Sequence, residues 1–310
     1  MTKFLFKRTL DALLTAFLVF TFVFFAMRLL PGDPVVAMLG DRAGAETIEN
    51  VRRTLGLDQP LLVQYGNFLW DLLHLDLGTS LVNGASVSEL MVRNLPHTIA
   101  LTIASTIVGI IVGIPLGVVS ALRVGKATDH ATRLISLFGS ALPDFYVGVL
   151  FLLLFGLTLG WFPLLGGGSS PFDLRYLAMP AMALGLLKGF GLVRLTRTAV
   201  LEVAGRDYVR TARALGMPRQ VVTWNHIFRN ALIPVTTHLS LSIVATLGGT
   251  IALELVFNRP GVGQLLVGAV TSRNYTLIQG GIVILSILVV FVNFATDLLY
   301  AVIDPRVRVS

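Results

Sequence analysis

The sequence predicts an all-α membrane protein of about six spans, and three observations predict it. Of its 310 residues, 55% are hydrophobic and only 13% are charged, against about 25% charged in an ordinary soluble domain. The mean hydropathy is +0.80. The apolar residues also fall in long runs separated by short basic segments. A water-soluble fold of this composition would lack the polar residues to cover its surface. In lipid the demand reverses, because acyl tails accept apolar side chains while backbone polar groups pair internally.

A spanning helix needs about 20 mostly apolar residues. The first run is Leu10–Leu30, preceded by Lys3, Lys7 and Arg8 as in a signal peptide. It ends in Arg28-Leu-Leu-Pro-Gly-Asp-Pro34 without a small-residue cleavage site, so a retained first helix is expected. The second run is near Thr98–Leu122. The third is Leu134–Leu159, interrupted only by Asp144, and the fourth is Tyr176–Val193, with Lys188 inside. The fifth and sixth are Ala231–Leu255 and Leu277–Val302.

An even number of spans places both termini on one side, and the basic residues choose the side. With the N-terminus inside, the inner segments hold Lys3, Lys7, Arg8, Arg123, Lys126, Arg133, Arg194, Arg197, Arg206, Arg210, Arg213, Arg219, Arg229, Arg306 and Arg308. Arginines of the opposite side mostly share their loops with acids such as Asp33, Asp41, Glu46 and Glu49. The positive-inside rule therefore puts both termini in the cytoplasm. The expected organisation is an N-terminal transmembrane helix (1–30) and an external helical segment (31–96). A five-helix membrane core (97–303) carrying a cytoplasmic loop (194–230) and a cytoplasmic tail (304–310) complete it.

The segment 31–96 is too long for a bare connector. Ala45–Leu55 reads as a helix closed by Gly56. Asp58-Gln-Pro60 then offers a start for a helix over Leu61–Leu73. In the second span Gly109, Gly113 and Gly117 share one face, which favours close approach by a neighbouring helix. Pro115 among them removes a backbone donor and predicts a bend.

Ionisable groups in a span are costly and face protein or water. Asp144, Lys188 and Glu254 are therefore candidates to line a path for a polar solute, with Ser140 and Thr250 as hydrogen-bonding groups. A structural Asp144–Lys188 ion pair is the plainer alternative. No residue is assigned a catalytic role. Ser140 and His238 lie in separate spans, which is no basis for a nucleophile and base. The chain has no cysteine, and no metal site or cofactor is expected. It also lacks the Gly-x-x-x-x-Gly-Lys-Ser/Thr phosphate loop, so any nucleotide chemistry belongs to another polypeptide. The charge of +7 sits in the segments between spans, where it orients the protein rather than binding nucleic acid.

Residues 194–230 are too polar to span and too patterned for a linker. Tyr208, Ala212 and Leu215 fall at i, i+4 and i+7 on one helix face, with Arg206, Arg210 and Arg213 on another. Gly216 ends that helix, and Pro218 begins a second over Arg219–Phe228. Two short helices broken at a glycine predict a compact knob. A single basic helix lying on anionic lipid is the alternative, which the break at Gly216–Pro218 disfavours.

Thr211-Ala-Arg-Ala-Leu-Gly216, followed by Met-Pro-Arg-Gln-Val-Val-Thr-Trp-Asn-His226, resembles the EAA cytoplasmic loop of ABC importer permeases. Its surroundings, from Glu202 onward, look like the dipeptide, oligopeptide and nickel branch. Leu29-Leu-Pro-Gly-Asp-Pro-Val35, Asp76-Leu-Gly-Thr-Ser80, Asn94-Leu-Pro-His-Thr98 and the stretch Gly249–Gly263 resemble other segments of that branch, in the same order along the chain. The resemblance implies a type I ABC importer permease: one of two subunits forming a pore in the inner membrane. Its partners would be a second permease, two cytoplasmic ATPases that carry ATP and Mg, and a periplasmic solute-binding protein. The alternative class is a secondary transporter driven by an ion gradient.

The resemblance also implies that Arg210, Thr211, Ala212, Arg213, Leu215, Gly216 and Arg219 couple the pore to an ATPase. Ala212 and Gly216 match the small positions of the motif. Arg210 or Thr211 stands where the motif's name places glutamate, so no acidic contact is available there.

Overall fold

The structure, a computed structural model, describes residues 2–29, 35–36, 44–54, 56–80, 82 and 84–303. The Pro-Gly-Asp-Pro turn at 31–34 and the tail 304–310 lie outside the described residues. Helices follow one another as α1 (Thr2–Leu29), α2 (Ala45–Thr54), α3 (Leu61–Leu73), α4 (Val87–Leu122) and α5 (Ala127–Gly139). Then come α6 (Asp144–Thr158), α7 (Leu174–Ala204), α8 (Asp207–Ala214), α9 (Arg219–Val256), α10 (Val262–Thr271) and α11 (Tyr275–Ile303). No strand is formed among the described residues. Among the described residues, five helices are long and apolar enough to cross a membrane, or up to six if the bent pair α5 and α6 counts as one span.

That bent pair is where the expected spans need correction. The run Leu134–Leu159 is not one helix: α5 and α6 meet at 102°. Pro143 has no N–H to continue α5, and its ring disfavours helical backbone at the residue before it. The chain restarts at Asp144, and the Pro143 carbonyl accepts from the Tyr146 and Val147 amides. Pro115, by contrast, is carried inside α4 without a break. Two spans also run further than their apolar runs. The fourth extends to Ala204 and the fifth begins at Arg219, so much of the expected loop 194–230 consists of the ends of spanning helices.

The chain divides into two units, Met1–Pro96 with Gly261–Phe294 and His97–Pro260 with Ala295–Ser310. In the first unit, α3 is pinned to α1. The Phe24 ring is fully buried, 5.2 Å from Tyr65 and 5.3 Å from Phe68 between centroids. The Arg28 guanidinium lies 3.4 Å over Phe24 and donates through Nε to Gln64 Oε1 at 3.0 Å. Gly56 closes the turn between α2 and α3 with φ at +63°. Val87, Met91, Val262, Ala269 and Leu277 form this unit's core. Beside it, the buried Asn274 side chain donates to Ser80 Oγ at 2.7 Å.

In the second unit, the small-residue face of α4 meets α7. A Cβ at Gly113 would lie 2.7 Å from Leu192 Cβ, and one at Gly117 would lie 2.6 Å from Thr196 Cβ. Gly185 answers from the other side, where a Cβ would meet Val108 Cβ at 2.5 Å. The two backbones are therefore closer than any side chain at these positions permits, as the spacing of four predicts. Helix α7 begins at Asp173, whose carboxylate accepts from the Arg175 amide at 3.1 Å, an N-cap contact. Leu101, Val147, Leu184, Leu187, Leu253 and Phe257 make the core that joins α4, α6, α7 and α9.

Candidate functional site

The knob forms as two helical pieces around Gly216, whose φ of +75° is the left-handed backbone that glycine adopts without cost. Its inward face differs from the one expected. Val209 (0% exposed) and Ala212 (6%) point into the protein, while Tyr208 (40%) and Leu215 (76%) are exposed. The shift by one residue arises because α8 has only eight residues, and its neighbours, not its own pattern, select the buried face. Val209 and Ala212 join Val222, Ile227 and Ala231 of α9, Ala199, Val200 and Val203 of α7, and Val118 and Ala121 of α4 in one apolar cluster. The knob is thereby welded to the ends of three spanning helices.

Arg210, Thr211, Arg213, Leu215, Gly216 and Arg219 are all exposed on the knob, whereas Ala212 is inside it. Arg210 makes a loose exposed pair with Asp207 at 3.5 Å. Where α9 begins, residues Val222–Phe228 wind as a π-helix. This widened turn is uncommon and frequently marks functional sites.

Of the path candidates, Ser140 and Lys188 line one open cavity of about 480 Å³, together with Thr106, His238, Ser242 and Thr246. Asp144 stands next to it. A Cβ at Gly249 would lie 2.9 Å from Asp144 Oδ2 and 3.9 Å from Lys188 Nζ. The acid and the amine thus face the same glycine without forming an ion pair with each other. Thr250 and Glu254 are not on this cavity. Both are fully buried. Thr250 donates to the Leu247 carbonyl in its own helix, and Glu254 Oε1 accepts from Thr98 Oγ1 at 2.6 Å.

Two further features escaped the sequence reading. Asp129, 1% exposed, receives a bidentate contact from Arg197: Nε to Oδ1 at 2.8 Å and Nη2 to Oδ2 at 3.0 Å. Ser120 Oγ donates to the same carboxylate at 2.6 Å, and the Gly125 amide does so at 3.1 Å. This clasp ties α4, α5 and α7 together just before the knob. Arg259 is the second. It is fully buried after α9, with Nη2 donating to the Pro171 carbonyl. Burial pushes its guanidinium below the ordinary value, which the nearby Glu254 and Asp173 carboxylates oppose. The arginine partner of Asp129 and the carbonyl partner of Arg259 lie 68 and 88 residues away, and no local pattern connects these pairs.

Residues 113–309 match the family described as binding-protein-dependent transport system inner membrane component, and residues 1–102 match its N-terminal family. The chain belongs to that family. A Brucella abortus protein provisionally named as a peptide transport system permease is 40% identical over 99% of both chains. The di/tripeptide transport system permease of Pseudomonas aeruginosa is 35% identical over 97% of both. The glutathione transport system permease of Salmonella choleraesuis is 37% identical over 99% of both. Chains of the MetNI methionine ABC transporter, solved in inward-facing conformations, match with TM-scores of 0.58 and 0.54. They are 22% and 21% identical, covering 69% of this chain and 96% of theirs, and they establish the fold. The likeness read from the loop motif is borne out: the chain is a multi-pass permease subunit with a type I importer fold. These matches support importer membership and not the ion-gradient alternative.

Proposed function

We propose that this permease pairs with a second permease across the open cavity and admits peptides, or a similarly small polar solute, delivered by a periplasmic binding protein. The assignment of peptides follows the named relatives, which span di/tripeptides and glutathione. Two cytoplasmic ATPases carry the ATP and Mg, and both termini of the chain lie on their side of the membrane. Residues 31–96 form the external segment, and the knob within 194–230 is the seat for one ATPase.

The observation that carries this reading is the apolar cluster through Val209 and Ala212. A force applied to the exposed residues Arg210, Thr211, Arg213, Leu215, Gly216 and Arg219 has no soft joint to dissipate in before it reaches the spanning helices. The exposed set makes the contact, and Ala212 passes it inward. Ser140, Asp144 and Lys188 supply polar groups along the path, while Thr250 and Glu254 brace α9 behind it.

The test is site-directed cross-linking in the assembled complex. Leu215→Cys, on a chain that has no cysteine of its own, is expected to cross-link to an ATPase subunit and to lose that product when ATP drives the cycle. Labelling of the same thiol from the outer face of intact cells would refute both the orientation and the coupling assignment.

A further inference from the structure

The cavity beside α7 is rich in hydroxyls but poor in free donors. Thr106, Ser140, Ser242 and Thr246 line it, and each hydroxyl donates to a carbonyl three or four residues earlier. The Lys188 amine reaches the same cavity and makes no hydrogen bond or ion pair with any described residue. The Asp144 carboxylate beside it is equally uncommitted among the described residues. Both side chains are half-buried. They meet over Gly249, where a Cβ would lie 2.9 Å from Asp144 Oδ2 and 3.9 Å from Lys188 Nζ. The two charges are therefore between about 4 and 7 Å apart, and a bare glycine keeps the space between them open.

We propose that Lys188 and Asp144 read the two termini of a short peptide, the amine taking its carboxylate and the carboxylate taking its ammonium. This rests on the transport reading and narrows it, from a small polar solute to a zwitterion. Ionised groups inside a span are costly and are kept where they meet a partner. Two opposite charges held apart across an open space are matched by a solute that carries the complementary pair, through charge-assisted hydrogen bonds at both ends. An extended chain covers about 3.5 Å per residue, so a gap of this width corresponds to the terminal charges of a dipeptide. A neutral sugar would answer neither charge, and a simple cation or anion would answer one. A site built around polar contacts rejects ligands that lack them far more strongly than an apolar pocket rejects a missing methylene. With the cavity's hydroxyls already committed to their own helices, discrimination falls to this pair.

The test adds alanyl-alanine, alanyl-alanine amide or N-acetyl-alanyl-alanine at millimolar concentration to the purified permease–ATPase complex, without binding protein, and follows the melting temperature. A ligand that binds only the folded state raises it. Alanyl-alanine is expected to raise the melting temperature of the wild type. Masking either terminal charge should weaken apparent affinity at least about tenfold, the scale of one hydrogen bond to a charged group. Lys188→Met should bind the dipeptide and its amide equally weakly, Asp144→Asn should do the same for the dipeptide and its N-acetyl form, and Lys188→Arg should recover most of the response. No shift with alanyl-alanine, or equal shifts from all three ligands in the wild type, would overturn the proposal. So would variants that melt lower without solute yet keep the wild-type ranking of the three ligands, the behaviour of a structural ion pair. ATP-driven uptake of alanyl-alanine by the wild-type complex with its binding protein, measured alongside, checks the transport reading separately. Uptake without a melting shift sinks the charge-pair assignment alone, and a shift without uptake counts against the transport reading while the pair stands.

Discussion

Replacing Ala212 by arginine tests the coupling argument most directly. Ala212 is 6% exposed among Val209, Val222, Ile227, Val200 and Val203. A guanidinium there has two options. It can stay in the cluster, where an unpaired charge out of water costs several kcal/mol. Otherwise α8 can lift away, exposing Val209 fully and Val222 and Ile227 in part. At about 1.5–3 kcal/mol for each fully exposed aliphatic side chain, that release costs on the order of 3–5 kcal/mol. Either route shifts the docked-to-released ratio of the knob by more than about a hundredfold. The spanning helices are untouched, so the protein should insert and pair normally. The assay is ATP-driven uptake of a labelled peptide by proteoliposomes holding the assembled complex, with ATPase turnover measured in parallel. Uptake should fall to background while membrane insertion is unchanged. Leu215→Arg provides the contrast: at a position 76% exposed it should change stability by no more than about 0.5 kcal/mol. Wild-type uptake by the Ala212→Arg protein would show that the knob does not transmit force through this cluster.

The remaining predictions concern packing, the clasp and the cavity. Gly117→Leu forces α4 away from Thr196 and should destabilise the complex by at least about 1–3 kcal/mol, read as a lower melting temperature in detergent. No change in melting would mean that the close approach is not maintained in the membrane. Asp129→Asn leaves the Arg197 guanidinium without its bidentate partner and should lower the melting temperature. Adding Arg197→Gln should recover part of the loss, because the uncompensated charge is then gone. Strictly additive losses in that double variant would show that the two residues do not act as a pair. Lys188→Met removes the amine from the cavity wall and should slow uptake without altering melting; unchanged uptake kinetics would take Lys188 off the path.

What could be read from the chain, and what could not, divides by range. The spacing of Gly109, Gly113 and Gly117 announces a close helix contact, because four residues return to the same helix face whatever the partner is. It does not say that the partner is α7, since Gly185 answers from 68 positions beyond Gly117. Pro143 disrupts a helix by its own chemistry, yet the turn of 102° beside it depends on how α6 seats against α7 and α9. The knob's break at Gly216 was legible from the residue itself. Its buried face was not, because eight residues hold too little periodicity to outvote three packing neighbours. Asp129 sits among other charges in the short polar segment between two apolar runs, with nothing local to single it out. Its clasp requires Arg197 to arrive on a helix whose apolar run ends four residues earlier, at Val193.

The extension of α7 past that run matters mechanically. One uninterrupted helix carries Lys188 at the cavity, Arg197 at the clasp, and Val200 and Val203 in the knob's cluster. From Lys188 to Val203 is fifteen residues, about 22 Å along the axis. A rod of that length pivots rather than compresses, and the clasp lies between its ends. A displacement of the knob would therefore reach Lys188 as a tilt of α7 about the Arg197 contact, with α4 constrained to follow through the interlocked glycines. Loosening the clasp should then weaken coupling even where the knob and the cavity are intact. In Asp129→Asn, ATP turnover should persist while solute uptake per ATP falls. If uptake and turnover fall in the same proportion, the clasp is a stabilising contact and not a pivot.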